Sequence, residues 1–207
     1  NTSGVEPVSV AAGALHTCYV TTFGSLYCFG DDAGGQLGSG APVGTDSSTP
    51  VRESTAATNW VRVYAGSRHT CGRRGTTGTE LWCWGANDFG HLGSGGTLTR
   101  IVPTRVGTAA WTAIATGANH TCGIQTDGSL WCWGDNTLGQ LGIGTMVMSD
   151  VPVRVGTLND WTGVTAGAAH TCAARNAMVF CWGRGTTGAL GNGGTTSSPT
   201  PVRACLP

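Results

Sequence analysis

Nine cysteines in 207 residues carry the most reactive chemistry in this chain, and eight of them fall into close pairs: Cys18 with Cys28, Cys71 with Cys83, Cys122 with Cys132, and Cys172 with Cys181. The members of each pair lie 10, 12, 10 and 9 residues apart. A turn signal runs between them, clearest in Thr126-Asp127-Gly128-Ser129, so each pair is predicted to sit side by side on the two strands of a β-hairpin. Cross-strand neighbours have the Cβ spacing a disulfide needs. Each such bridge would close a short loop and stabilise the fold by about 2–3 kcal/mol. A histidine stands two residues before the first cysteine of every pair, at His16, His69, His120 and His170. Two thiolates and an imidazole are three ligands of a tetrahedral zinc site, so a metal is the rival reading, and buried free thiols packing as small hydrophobes are a third. The disulfide is the preferred one. Cys205 is the ninth cysteine and matches none of the others. An odd cysteine in a secreted chain suggests an intermolecular disulfide, with a free, partly buried thiol as the alternative.

Catalytic chemistry is harder to find. Four of the five histidines share one spacing, and the fifth, His91, replaces the Gln36 and Gln140 of similar Gly-rich segments, where it is expected to be a polar surface residue. Asp31, Asp88 and Asp135 follow aromatic-Gly segments and read as turn formers, while Asp31-Asp32 lacks the further acidic ligands of a calcium loop. No residue is therefore assigned a catalytic, cofactor-binding or metal-binding role, no cofactor is expected, and the chain is read as a non-enzyme. Asn1-Thr2-Ser3 and Asn119-His120-Thr121 fit the glycosylation sequon.

Composition narrows the classes further. All 11 basic residues are arginine, and they balance 11 acidic residues to a net charge of zero, which argues against nucleic acid as a partner. Arg52, Arg105, Arg154 and Arg203 recur at one position and read as structural. No run approaches the ~20 apolar residues of a membrane span, and no signal-peptide pattern is present. A start at Asn1 fits a processed mature chain or a trimmed one. The cysteine usage places the chain in an oxidising, secreted compartment.

The elements that must position these residues are repeats. His-Thr-Cys recurs at 16–18, 69–71, 120–122 and 170–172, each time with a glycine three residues before the histidine. The second cysteine lies in Tyr27-Cys28-Phe29-Gly30, Trp82-Cys83-Trp84-Gly85, Trp131-Cys132-Trp133-Gly134 and Phe180-Cys181-Trp182-Gly183. Gly-Gln-Leu-Gly at 35–38 returns unchanged at 139–142 and with another second residue at 90–93 (His) and 188–191 (Ala), and each unit closes on Pro-x-Arg, as in Pro50-Val51-Arg52. The repeats span approximately 7–53, 60–106, 111–155 and 161–204. Each reads as strand, strand, tight hairpin, strand, loop, strand. Strands such as Leu130-Trp131-Cys132-Trp133 are apolar on both faces and need cover on both sides. A stack of small sheets supplies it, and about fifty residues per unit fits a propeller blade better than a solenoid turn.

Gly-x-x-His-Thr-Cys, Asp-Gly-Ser-Leu-Trp-Cys-Trp-Gly, Asn-x-x-Gly-Gln-Leu-Gly and the closing Pro-x-x-Val together resemble the repeat of the regulator of chromosome condensation family, in a secreted, disulfide-containing bacterial-type variant. The resemblance covers about residues 7 to 204. It implies an all-β propeller, usually of seven blades, on a scaffold that serves a nuclear exchange factor, ubiquitin-ligase domains and secreted inhibitors. Family members without the cysteines keep Gly-x-x-His, so the four repeat histidines are structural.

Seven blades subtend about 50° each, so four make an open arc or part of a ring completed by oligomerisation. If the Pro-x-Arg strand belonged to the following blade, the last one would have to return to blade one or join another subunit. The leading expectation is a secreted structural protein that self-assembles into an extracellular oligomer or filament. The alternative is a protein- or glycan-binding module, an inhibitor or adhesin, using the loops at 39–49, 94–100, 143–150 and 192–198.

Overall fold

The computed structural model describes residues 6–205. Asn1-Thr2-Ser3, one of the two sequons, lies outside them. Among the described residues, sixteen strands form four antiparallel sheets, each with its strands in chain order, and there is no helix. Blade 1 comprises β1 (Pro7–Ala12), β2 (His16–Thr21), β3 (Leu26–Gly30) and β4 (Ser47–Arg52). Blade 2 comprises β5 (Trp60–Ala65), β6 (His69–Arg74), β7 (Glu80–Gly85) and β8 (Arg100–Arg105). Blade 3 follows with β9 (Trp111–Thr116), β10 (His120–Gln125), β11 (Leu130–Gly134) and β12 (Ser149–Arg154), and blade 4 with β13 (Trp161–Ala166), β14 (His170–Arg175), β15 (Met178–Gly183) and β16 (Ser198–Arg203).

The Pro-x-Arg strand pairs with the third strand of its own repeat: Arg52 lies opposite Tyr27, and Arg203 opposite Phe180. Every blade is therefore complete within one repeat. Exchange of an unpaired last strand is removed as a route to closure or polymerisation.

The chain divides into two compact units, Asn1–Asp88 with Leu98–Ala110, and Phe89–Thr97 with Trp111–Pro207. Unit 1 holds blades 1 and 2, and unit 2 holds blades 3 and 4 with Phe89–Thr97, part of the loop that joins β7 to β8. Each unit has a core between its two sheets. In unit 1, Cys18, Val20, Leu26, Cys28 and Leu37 of blade 1 pack on Trp60, Val63 and Trp84 of blade 2. In unit 2, Cys122, Ile124, Leu130, Cys132 and Leu141 meet Trp161, Ala173 and Trp182. Side chains alternate across a strand, so within each unit the first blade offers a face of cysteine and aliphatic residues and the second meets it with a face built on tryptophan. Large indoles bury the most apolar area per residue and dominate such contacts.

Candidate functional site

Between the paired blades, two of the repeat histidines, His16 and His120, form an interblade clasp. His16 Nε2 lies 2.8 Å from Thr70 Oγ1 of blade 2, and that hydroxyl donates to the Gln36 carbonyl at 2.8 Å. Unit 2 repeats the relay: His120 Nε2 is 2.9 Å from Thr171 Oγ1, which donates to the Gln140 carbonyl at 2.9 Å. Since the threonine hydrogen goes to the carbonyl, the imidazole must supply the other, which assigns the Nε2–H tautomer. The same two carbonyls also accept the indole N–H of the next blade, from Trp84 at 2.9 Å and from Trp182 at 2.9 Å. His16 Nδ1 and His120 Nδ1 are buried without a hydrogen-bond partner, so a second ring proton would have no acceptor. Burial lowers His16 to about 4 against the opposing charge of Asp31, and lowers His120 to about 4 against that of Asp135.

This clasp explains two glycines of the repeat. A Cβ on Gly13 would stand 2.3 Å from His16 Cε1, and one on Gly117 2.2 Å from His120 Cε1. A Cβ on Gly38 or Gly142 would stand 2.5 or 2.6 Å from the indole nitrogen of Trp84 or Trp182. Glycine at these places lets one blade approach the next, so the landmarks are packing devices.

The cysteines of each pair are directly opposed in register and bonded, at S–S distances of 2.10, 2.15, 2.10 and 2.13 Å for Cys18–Cys28, Cys71–Cys83, Cys122–Cys132 and Cys172–Cys181. Cys205 is free and exposed. Among the described residues no group of three or more His, Cys, Asp or Glu side chains could hold a metal ion. His69 is fully buried and His170 half-buried. His91 departs from its surface assignment, being only 1% exposed. Its loop turns inward, and its carbonyl accepts Thr121 Oγ1 at 2.8 Å, as the Gln36 and Gln140 carbonyls accept theirs.

The surfaces left for a partner are of two kinds. Loop tips between the third and fourth strands carry exposed Val43, Leu98, Met146, Val147 and Met148. The outer sheet faces of blades 1 and 4 expose positions that other blades bury. Val10 is 70% exposed, whereas its equivalents Val63 and Ile114 are 3% and 5% exposed. Val10 shares a cross-strand row with Tyr19 and Tyr27, whose rings stack at 5.5 Å. On blade 4, Val179 is 36% exposed where Leu26, Leu81 and Leu130 are at most 1% exposed.

These sheets and clasps can be set against known proteins. A family model for the regulator of chromosome condensation (RCC1) repeat matches residues 24–72, 80–124, 127–174 and 176–207. The chain belongs to the RCC1-repeat family. Three of the matched segments run from the third strand of one blade into the second strand of the next, so the family's repeat unit is offset from the sheet, while the repeats 7–53, 60–106, 111–155 and 161–204 each coincide with one blade. The ultraviolet-B receptor UVR8 of Arabidopsis thaliana is 35% identical over 132 residues, covering 61% of this chain and 29% of that protein. The human E3 ubiquitin-protein ligase HERC2 is 33% identical over 107 residues, covering 50% of this chain and 2% of that protein. Among solved structures, yeast RCC1 (Prp20) bound to Kap60 superposes with a TM-score of 0.85 at 22% identity, covering 100% of this chain and 50% of that one. Human WBSCR16 superposes with a TM-score of 0.85 at 24% identity, covering 100% and 55%. The chain thus spans about half of these solved propeller chains and less than a third of the two curated relatives. Those structural likenesses show the all-β RCC1 propeller fold. RCC1-repeat propellers are a protein-interaction module family and are typically non-catalytic. The four disulfides are compatible with an oxidising extracellular environment, and no helix among the described residues is long and apolar enough to cross a membrane.

Two features of the structure have no counterpart among the sequence expectations. Glu53 is a buried carboxylate, only 1% exposed, and its signal was its place among Val106, Val155 and Ala204 at the residue after Pro-x-Arg. The end faces were legible only as a count of blades, because burial of a strand face depends on what stacks upon it.

Proposed function

We propose that the chain is a secreted, non-enzymatic RCC1-repeat module that assembles with copies of itself, the aromatic outer face of blade 1 seating on the outer face of blade 4 of the next copy. The observation that carries this reading is the exposure of Val10 and Val179 at repeat positions that are buried elsewhere. Residue sizes support the match. On blade 4, Gly163, Ala174 and Val179 stand in the row held by Ala113, Ile124 and Leu130 on blade 3. The smaller side chains leave a concavity of about 220 Å³ lined also by Cys172 and Thr165. On blade 1, Tyr19 stands where blade 4 has Ala173, and Val10, Tyr27 and Phe29 stand where it has Val164, Phe180 and Trp182. The knob has grown where the hole has deepened, while Pro7 in place of Trp161 moves bulk from the first strand to the second. Such a contact is head-to-tail, so it produces a closed ring or an open filament according to its rotation. Disulfide-stapled blades with few charges suit an extracellular assembly.

A second reading, protein or glycan binding through the loops, is favoured by the exposed Met146-Val147-Met148 tip. The yeast relative has been solved with Kap60, and Prp20p has been characterised for binding Gsp1p and histones. Light scattering of the 207-residue chain over a hundredfold concentration range separates the two. Self-assembly predicts a mass at or above the dimer, stopping there for a two-chain ring and rising further for a filament, with Val179→Arg abolishing the closed ring and the filament. A monomer at every concentration overturns it and leaves the loops as the interaction surface.

A further inference from the structure

Trp60 and Trp161 open the first strands of blades 2 and 4 at the same repeat position, yet their indole N–H groups meet different surroundings. Trp60 Nε1 donates to Glu53 Oε1 at 3.2 Å. The Glu53 carboxylate also accepts Ala57 N at 2.9 Å, Thr55 N at 2.7 Å and Thr55 Oγ1 at 2.6 Å. Arg74 lies over the rings of Trp60 and Trp82, at 4.9 and 3.5 Å, and donates to Thr55 Oγ1 at 3.1 Å. Unit 1 thus carries its own carboxylate, buried between an indole and an arginine.

Unit 2 has the same frame without that carboxylate. Val155 stands in the place of Glu53, and both backbones mark it alike: Glu53 N donates to the Leu26 carbonyl and Val155 N to the Leu130 carbonyl. Trp161 is 6% exposed, and its Nε1 is buried with no hydrogen-bond partner. Arg175 takes the place of Arg74, 5.6 Å over Trp161 and 5.3 Å over Phe180. A pocket of about 370 Å³ lies among Trp161, Phe180, Leu158, Val155, Arg154 and Arg175, within the size range of small-molecule sites.

We propose that this pocket binds a small carboxylic acid with an aromatic or branched apolar body, whose carboxylate does in unit 2 what the Glu53 carboxylate does in unit 1. The body packs on Trp161, Phe180 and Leu158. The carboxylate accepts from the Arg175 guanidinium, for which a planar, charge-assisted contact is the natural match, and from the indole N–H of Trp161. Asp160 already pairs with Arg175 through Nη1 at 3.0 Å, and Arg154 donates to Thr157 O and Asn159 Oδ1. Asp160 offsets Arg175 and Asp127 lies near Arg154, so selection for an anion comes from the donors themselves, the Arg175 guanidinium and the Trp161 indole N–H, neither of which can hold a cation. None of the end-face residues takes part, so this site stands apart from self-assembly.

The test uses 3-phenylpropionate against its neutral counterpart, 3-phenylpropanol, titrated into the full chain by calorimetry and by the indole N–H resonances, with Trp161→Phe assigning the Trp161 signal. The acid is expected to bind at least tenfold tighter than the alcohol and to shift the Trp161 resonance. Arg175→Gln is expected to remove that preference. Val155→Glu, which installs the carboxylate of unit 1, is expected to abolish binding with an unchanged circular dichroism spectrum, and if it fails to fold, Arg175→Gln carries the test. Equal binding of acid and alcohol, an unmoved Trp161 resonance, an acid preference that survives Arg175→Gln, or no binding of either probe overturns the proposal.

Discussion

In unit 1, His16 of blade 1 reaches Thr70 of blade 2, and Trp84 shares the Gln36 carbonyl with that threonine. In unit 2, His120, Thr171, Trp182 and the Gln140 carbonyl make the same arrangement to within 0.1 Å in each hydrogen bond. The two blade pairs differ elsewhere. The outer face of blade 1 bears Tyr19 and Tyr27, while the outer face of blade 4 is cut back to Gly163, Ala174 and Val179. The buried Glu53 of the first pair becomes Val155 in the second. Residues between paired blades are thus held to one solution by close backbone approach. Residues facing outward, or behind the first-strand tryptophan, have diverged, and that is where a partner or ligand can be specified.

Substitutions at equivalent positions break this comparison most sharply. Leu130 and Val179 occupy the same place in blades 3 and 4, so Leu130→Ala is expected to cost about 2–5 kcal/mol through a cavity in the core. Val179→Ala, on an exposed face, should cost under about 1 kcal/mol. Urea denaturation of the two variants checks the contrast, and similar losses would mean that the face of blade 4 is covered in the monomer.

Acid should loosen both clasps together. Burial holds His16 and His120 at about 4 in the fold, below the ordinary 6.5, so the folded state favours the neutral ring. Their contribution is fully present above pH 6.5 and is lost as the pH falls from 6.5 toward 4. At full loss it amounts to roughly 3 kcal/mol per histidine. Thermal melts at pH 7.5 and 4.5 should show the decline, and His16→Gln with His120→Gln should flatten it. Removing only the hydroxyl relay has a smaller effect. Thr70→Val and Thr171→Val should each cost about 1–2 kcal/mol, equally in the two units, by denaturant midpoint.

The blades were legible in the sequence because their landmarks are local or nearly so. A cysteine pair flanking a turn, a glycine beneath an imidazole and a period-two strand announce themselves within about ten residues. Ownership of the Pro-x-Arg strand was not legible, since Arg52 lies far along the chain from Tyr27, and either neighbouring sheet could have taken it. His91 reads as a surface residue because it is polar and lies in a Gly-rich segment. The fold turns that segment inward so that its backbone carbonyl can meet Thr121. Glu53 was hidden for a related reason: a lone glutamate is usually solvated, and only the hydrogen bonds from Thr55, Ala57 and Trp60 make its burial tolerable.

The self-assembly reading rests on two different faces of one chain, and a mixing experiment addresses both at once. Val10→Arg spoils the face of blade 1 and leaves that of blade 4, while Val179→Arg does the reverse. Measured by native mass spectrometry, each variant alone is predicted to be monomeric, and an equimolar mixture is predicted to form a one-to-one heterodimer that stops there. Two variants that remain monomeric when mixed, or that each still form higher oligomers alone, would contradict assembly through these faces.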